Sequence, residues 1–384
     1  MIGKIKQLTR EWDNYHSFFS LDSTQRRLVF YSERDIYYQY YEGYLNYIID
    51  NSNLDICYLT SDGTDPIFNI NIPRIKPFFI DILLPMTIRR LDAKVLVMTM
   101  PDLNKYHIKR SRNNVNHVYM FHAFGSIHLQ YRKEAFSEYD TIMCPGPHNY
   151  RELRREEELY NLHPRDLIKC GYYRIEKIYN DYRKLIATKN SDHSSGEKII
   201  LIAPSWHSGN ILEYCIEELV DVLNHMDYRV IIRPHPEYVK RNKSKINKLR
   251  KAINFFDKIS LELNMVNKIS LLNADVLLTD WSLIGFEYAF GTEKPVLFVN
   301  TPPKITNPDY SDFGIEPIEQ KLRNKIGMAI NFSDINKLPQ ILHEFSVNNV
   351  LFKKNIIKYR MEYLYNWKYS SEAGGEYLIN ACME

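Results

Sequence analysis

Strand-like apolar runs alternate with helix-compatible stretches through most of this chain. They fall at 28–31, 56–59, 95–98, 118–121 and 141–143, and again at 199–203, 230–232, 276–278 and 296–299. That alternation is the pattern of a doubly wound parallel sheet, so the chain reads as α/β. Between the two series lies TKNSDHSSGEK (188–198), the stretch richest in polar and small residues, which reads as an interdomain linker. At 384 residues the chain is too long for one comfortable core, and two domains are the natural division. The reading is therefore two Rossmann-like domains, 1–190 and 191–384, with terminal helices over 336–384.

The second series of strands runs into polar loops. In LLNADVLLTDWSLIGFEYAFGTEKPVLFVN (271–300) a buried strand leads into Thr279, Asp280, Trp281 and Ser282, then a helix, then Lys294-Pro295 and another strand. The hydroxyls of Thr279 and Ser282, with the unpaired N–H groups of a helix start, favour an anion, and phosphate is the usual one. Taken alone, Ser282 more often caps its helix. In YRVIIRPHPEY (228–238) a β-branched strand stops at Arg233-Pro234-His235-Pro236-Glu237. The two prolines hold His235 in a rigid loop at the strand's C-terminal end, where open α/β sheets bind ligands. Arg233 brings a fixed charge and His235 a donor or proton carrier. A surface turn with an incidental histidine fits that isolated motif equally well. In KIILIAPSWHSGN (198–210) a third strand runs into Pro204 and Ser205. Chance rarely gives three such strand ends in order.

Together, APSW, RPHPE and TDWSLIGFEYA…KPVLF resemble the signature of the CDP-glycerol glycerophosphotransferase family. Ser205 stands where that family usually has Thr, and Trp281 where it has Tyr. A single Ser282 followed by Leu283 replaces the frequent Ser-Ser pair. In the first half, NHVYMFHAFGS (116–126) is a strand followed by a turn in which His122 matches the family's histidine, with Ala123-Phe124 inserted before Gly125. IKCGYYRI (168–175) resembles its Gly-Tyr-Pro-Arg segment with Tyr173 in place of proline, and 28–48 resembles its strand, acidic turn and first helix. The resemblance spans residues 28–300.

It implies a GT-B fold whose terminal helices cross back to the first lobe, with CDP-glycerol in the C-terminal lobe and the acceptor in the N-terminal lobe. An acceptor hydroxyl would attack the donor's β-phosphorus and CMP would leave, which needs positioning and charge neutralisation, not a covalent intermediate. Arg233, His235, Thr279 and Ser282, with Ser205, would hold the pyrophosphate. His122 would be the general base, working near its unperturbed pKa, with His128 as its rival. Asp280 either contacts the donor or organises its loop; Glu287 either reaches the ribose or is structural. No cofactor is implied, and no metal, since the chain has no Asp-x-Asp pair. The acceptor would be a lipid-linked or polysaccharide component of a teichoic acid or capsule. The main competing reading is a GT-B glycosyltransferase using a CMP-sugar such as Kdo or sialic acid, which also fits a His-Pro turn and a serine-bearing helix start. A nucleotide-sugar 2-epimerase would need an acidic cluster for C2 proton abstraction, which is not recognisable in this chain, and a non-catalytic capsule-assembly protein is the remaining alternative.

The net charge of +3 is too small to imply nucleic acid. Cys57, Cys144, Cys170, Cys215 and Cys382 form no CxxC or Cys/His cluster, which argues for reduced thiols and against structural zinc. The opening MIGKIKQLTREW lacks the apolar region of a secretory signal, and the most apolar stretch, 78–88, contains Asp81 and Pro85. Basic clusters at 105–112, 151–155 and 240–248 read more often as solvated faces; the first is the best placed to touch anionic lipid or a phosphorylated acceptor. These features predict a cytoplasmic protein, and the resemblance implies one that is peripheral on the inner face of a bacterial plasma membrane.

Overall fold

The computed structural model describes residues 2–189, 197–263 and 269–383. The first sheet holds β1 (Leu28–Ser32), β2 (Ile56–Thr60), β3 (Ile75–Phe79), β4 (Val95–Met98), β5 (Asn116–Met120), β6 (Thr141–Cys144) and β7 (Asp166–Lys169). The second holds β8 (Ile199–Ile202), β9 (Arg229–Ile232), β10 (Ile259–Leu261), β11 (Val276–Thr279), β12 (Val296–Val299) and β13 (Gly327–Ile330). Their orders are β3-β2-β1-β4-β5-β6-β7 and β10-β9-β8-β11-β12-β13, all parallel. Each sheet starts in its interior, builds to one edge, then returns and builds to the other. The order reverses between β1 and β4 in one sheet and between β8 and β11 in the other. At such a point neighbouring connections leave toward opposite faces, opening a crevice at the strands' C-terminal ends.

Alternating side chains fill both faces of each sheet, as strand geometry requires. Val29 and Tyr31 pack with Leu59, Leu96 and Met98, while Leu28 and Phe30 face the other way with Tyr58, Val95 and Val97. In the second sheet Ile200 and Ile202 share a face with Val230, Ile232 and Leu278, and Leu201 shares the other with Leu277 and Phe298. The strands absent from the sequence reading, β3, β7, β10 and β13, are the four sheet edges. An edge strand has one neighbour and tolerates what a central strand cannot: Pro77 inside β3, or the exposed Asp166 and Lys169 that bound β7.

The halves are joined by packing as well as by chain. Phe124 and Tyr172 lie in the same core as Phe286 and Phe290. Helix Tyr173–Lys189 packs on helix Ile284–Thr292 with Gly291 against Ile178, where a Cβ would collide. The last helix, Ser370–Met383, puts Leu378, Ile379 and Cys382 into the core of the first sheet. The opening segment is itself a helix, Ile2–Ser20, with Phe18 against Phe78 beside β3. Helix Tyr173–Lys189 runs into the segment read as a linker, of which 190–196 lies outside the described residues.

Candidate active site

The crevice of the second sheet lies between the loops after β8 and β11. Asp280 is fully buried; its Oδ1 accepts from the Ser205 N–H at 2.8 Å and its Oδ2 from the Ile211 N–H at 3.1 Å. Thr279 Oγ1 donates to the Ala203 carbonyl at 2.7 Å. These bonds stitch the two loops together across the point where strand order reverses. They leave Ser205 Oγ buried with no hydrogen-bond partner among the described residues, a hydroxyl that a ligand oxygen would satisfy. The helix after β11 begins at Ile284, with Leu283 at its N-cap and no side-chain cap. Ser282 therefore does not cap it, and the positive end of the helix keeps its capacity for an anion. Arg323 locks the turn from within: it donates to the carbonyls of Asp280 (2.7 Å) and Val299 (3.1 Å), and its guanidinium lies 4.1 Å from the Trp281 ring centre. Burial pushes its pKa down to about 10, so it stays cationic at neutral pH.

Beyond β9, Arg233 is buried and donates to Ser270 Oγ at 3.3 Å. His235 caps the short helix Pro236–Arg241, its Nδ1 accepting from the Glu237 N–H at 3.1 Å. An acceptor at Nδ1 places the neutral ring's proton on Nε2, making His235 a hydrogen-bond donor there. His122, at the end of β5, has the opposite arrangement. Its Nδ1 lies 3.1 Å from the Thr99 carbonyl, which can only accept, so the proton is on Nδ1 and Nε2 presents a lone pair. Tyr37 and Tyr40 stand edge-on to the ring, at 5.2 and 6.2 Å between ring centres. Burial pushes both histidines down to about 4, and the nearby ammonium of Lys304 adds to it in each case. The expectation of a base near its unperturbed pKa is thereby corrected. Arg34, at the start of the segment whose Tyr37 stands against His122, pairs at 2.7 Å with Glu237 of the helix that His235 caps, so the two lobes bring these rings to one cleft.

Lys304, like Arg323, is a cation that sequence reasoning missed. It follows β12 by way of Thr301-Pro302-Pro303, and its ammonium lies 5.4 Å from the Trp206 ring centre, itself 6.4 Å from His235. The carboxylates that act on it, Glu319 and Asp280, already accept backbone N–H groups. Its signal was present: a strand end, two prolines and a basic residue, the same logic as Arg233-Pro234-His235.

Two other residues sit in contacts within the protein. Glu287 accepts from Tyr172 Oη at 3.0 Å and lies 3.5 Å from Arg174 Nε, joining the lobes. His128 is buried, with Nε2 3.0 Å from the Ile315 carbonyl, Nδ1 3.4 Å from Glu152, and its ring stacked 5.0 Å from Phe313. Glu319 Oε1 accepts from Ser126 N–H (3.1 Å) and Gln130 Nε2 (3.0 Å), so a residue of the second half fixes the turn that follows His122. Among the described residues no group of three or more His, Cys, Asp or Glu side chains is arranged to hold a metal ion.

A family model, CDP-glycerol:poly(glycerophosphate) glycerophosphotransferase, matches residues 87–304, more than half the chain. The chain belongs to this family. It is accordingly a transferase of the CDP-glycerol glycerophosphotransferase kind, and the matched span contains His122, Ser205, Arg233, His235, Thr279 to Ser282, Glu287 and Lys304. Among solved structures, the wall teichoic acid polymerase TagF is similar over 100% of this chain and 98% of that one, at 13% identity and a TM-score of 0.61. A variant of TagF soaked with CDPG gives the same coverage, 14% identity and a TM-score of 0.61. Sucrose-phosphate synthase from Thermosynechococcus elongatus covers 92% of this chain and 98% of its own, at 14% identity and a TM-score of 0.52. At these identities the likeness is one of fold, which is α/β of the GT-B type with two Rossmann-like sheets facing a cleft. No curated protein sequence matches the chain significantly.

Proposed function

We propose that the cleft transfers glycerol phosphate from CDP-glycerol to a hydroxyl of a lipid-linked or polysaccharide acceptor of the teichoic acid or capsule type. The observation that carries this reading is the pair of histidines with opposite Nδ1 partners, one from each lobe, beside a lysine that forms no ion pair among the described residues. The acceptor oxygen attacks the β-phosphorus, its proton passes to His122 Nε2, the bond from that phosphorus to the bridging oxygen breaks, and CMP leaves with the electron pair. His235 Nε2–H, Lys304, Arg233, Ser205 Oγ and the uncapped helix start by Ser282 neutralise the phosphate oxygens. Thr279, Asp280 and Arg323 hold those groups in place, and Glu287 does so through the lobe contact. The lobes correspond to residues 1–190 and 191–384, the last helix returning to the first.

The site of action is the inner face of a bacterial plasma membrane. No described helix is long and apolar enough to cross a membrane. Support for a peripheral mode comes from the exposed Leu8, Trp12, Ile82 and Met86. They lie on adjoining segments, because Glu11 accepts the Asp81 N–H at 2.9 Å. The basic cluster at 105–112 contributes less than its sequence promises: Arg110 pairs with Asp140 at 2.9 Å, and Lys109 donates to the Asn104 carbonyl.

The test is CMP release from a panel of CDP-glycerol, CDP-ribitol and CMP-sugars, with and without a lipid-linked acceptor. Acceptor-dependent release from CDP-glycerol supports the reading; release from a CMP-sugar alone replaces it with a glycosyltransferase.

A further inference from the structure

Behind the turn that carries His122 lies a cavity of about 120 Å³ between the two halves of the chain, large enough for several waters or one small organic anion. His148, Arg151 and Glu152 of helix Pro147–Tyr160 line one side; Glu316, Lys321 and Tyr363 line the other. His148 is 1% exposed, yet neither of its ring nitrogens has a hydrogen-bond partner among the described residues. Glu152 is fully buried; Oε2 accepts from the Ile127 N–H at 2.7 Å and lies 3.4 Å from His128 Nδ1, but Oε1 has no hydrogen-bond partner among the described residues. Burying such groups unpaired is costly, and native proteins satisfy them with water or ligand. Burial holds the imidazole neutral, which leaves it one donor and one acceptor. At the mouth, Arg151 and Lys321 are exposed, and neither forms an ion pair among the described residues.

The walls thus offer two kinds of recognition. Two cations at the rim, against the one exposed carboxylate of Glu316, suit an anion, and Arg in particular suits the oxygens of a phosphate. Deeper in, an imidazole and a carboxylate oxygen suit hydroxyl groups, which both donate and accept. A polyol phosphate carries both chemistries in one small molecule. We propose that this cavity binds a polyol phosphate, with its phosphate at Arg151 and Lys321 and its hydroxyls at His148 and Glu152.

Occupancy would bear on the His122 turn directly. Glu152 holds Ile127, Asn149 Nδ2 donates to the Gly125 carbonyl at 2.9 Å, and Phe124 stands edge-on to His148 at 4.9 Å. The assignment rests on the cavity's own side chains. Its link to turnover rests on the reading of the cleft given above, since the ligand class is that of the transferred group. The ligand is either the free monomer or a unit of a growing acceptor chain.

Calorimetric titration of the full chain with glycerol 3-phosphate, and separately with a short glycerol phosphate oligomer, tests the assignment with CMP present to occupy the donor cleft. The wild type should bind the monomer saturably at one site. Arg151→Gln combined with Lys321→Gln, both at the exposed rim, should weaken it about tenfold or more while leaving CMP affinity unchanged. His148→Phe, which fills the space with an apolar ring, should abolish it. Tighter binding of the oligomer, lost in the same double variant, assigns the site to the acceptor chain; equal binding assigns it to the free monomer. Absence of saturable binding to the wild type, or unchanged affinity in a folded double variant, overturns the proposal. A parallel titration with CMP alone reports on the donor reading independently, so the two can fail separately.

Discussion

His122 Nδ1 faces a carbonyl and His235 Nδ1 faces an amide N–H, so at Nε2 one ring presents a lone pair and the other a proton. The state of His122 could not be read from sequence, because Thr99 is far from it along the chain and meets it only through the order β4-β5, whereas that of His235 is set locally, by Glu237 two residues on. The positions themselves were legible, since both follow apolar strands and one is fixed between prolines. The low pKa values carry a prediction with a definite sign. Free enzyme holds His122 and His235 at about 4, so both are neutral throughout the physiological range and protonate only well below it. The ascending limb of kcat/KM against pH should therefore lie near pH 4, not near the ordinary imidazole value. The limb of kcat should lie higher, because bound pyrophosphate favours the imidazolium form. A kcat/KM limb near the ordinary value would contradict the buried, lysine-flanked environment. Lys304→Gln should raise both histidine pKa values and weaken CDP-glycerol binding by roughly tenfold, as calorimetry would measure. An unchanged affinity would remove Lys304 from the donor site.

At the scale of elements, the close contacts between lobes are held by small residues. Gly146 starts the helix Pro147–Tyr160, and a Cβ there would run into the Tyr363 carbonyl. Gly146→Ala must displace the chain at Tyr363, where the Tyr365 N–H donates to the Pro145 carbonyl at 3.0 Å. The expected cost is about 3 kcal/mol, the range of overpacked, backbone-limited sites, seen as a lower midpoint in urea. A midpoint unchanged from wild type would show that the segment yields freely. The same scale explains what the sequence concealed. Central strands such as β1 and β11 are buried on both faces and advertise themselves as unbroken apolar runs. The edges β3, β7, β10 and β13 lack that constraint, so a proline, charges or a glycine erase the pattern. Donor-loop motifs stood out because they follow central strands, where the contrast between apolar run and polar loop is sharpest. The Ile2–Ser20 helix had no such contrast to reveal it.

At the scale of the molecule, the proposed function depends on two sheets that contribute different chemistry to one cleft. The lobes meet through Arg34–Glu237 (2.7 Å), the Glu319 contacts to Ser126 and Gln130, and the shared core around Phe124. On the proposal that it acts at a membrane face, the protein should bind vesicles containing anionic lipid, and Trp12→Ala with Ile82→Ser should release it in a flotation assay. Retention by the double variant would move the contact elsewhere. The division of labour between the lobes is tested most directly by measuring donor affinity and acceptor-dependent CMP release side by side in two variants. His122→Ala should bind CDP-glycerol as the wild type does and lose acceptor-dependent release, whereas His235→Ala should lose roughly 10²-fold in turnover through weakened stabilisation of the donor phosphates. Near-normal acceptor-dependent release by His122→Ala would contradict the account.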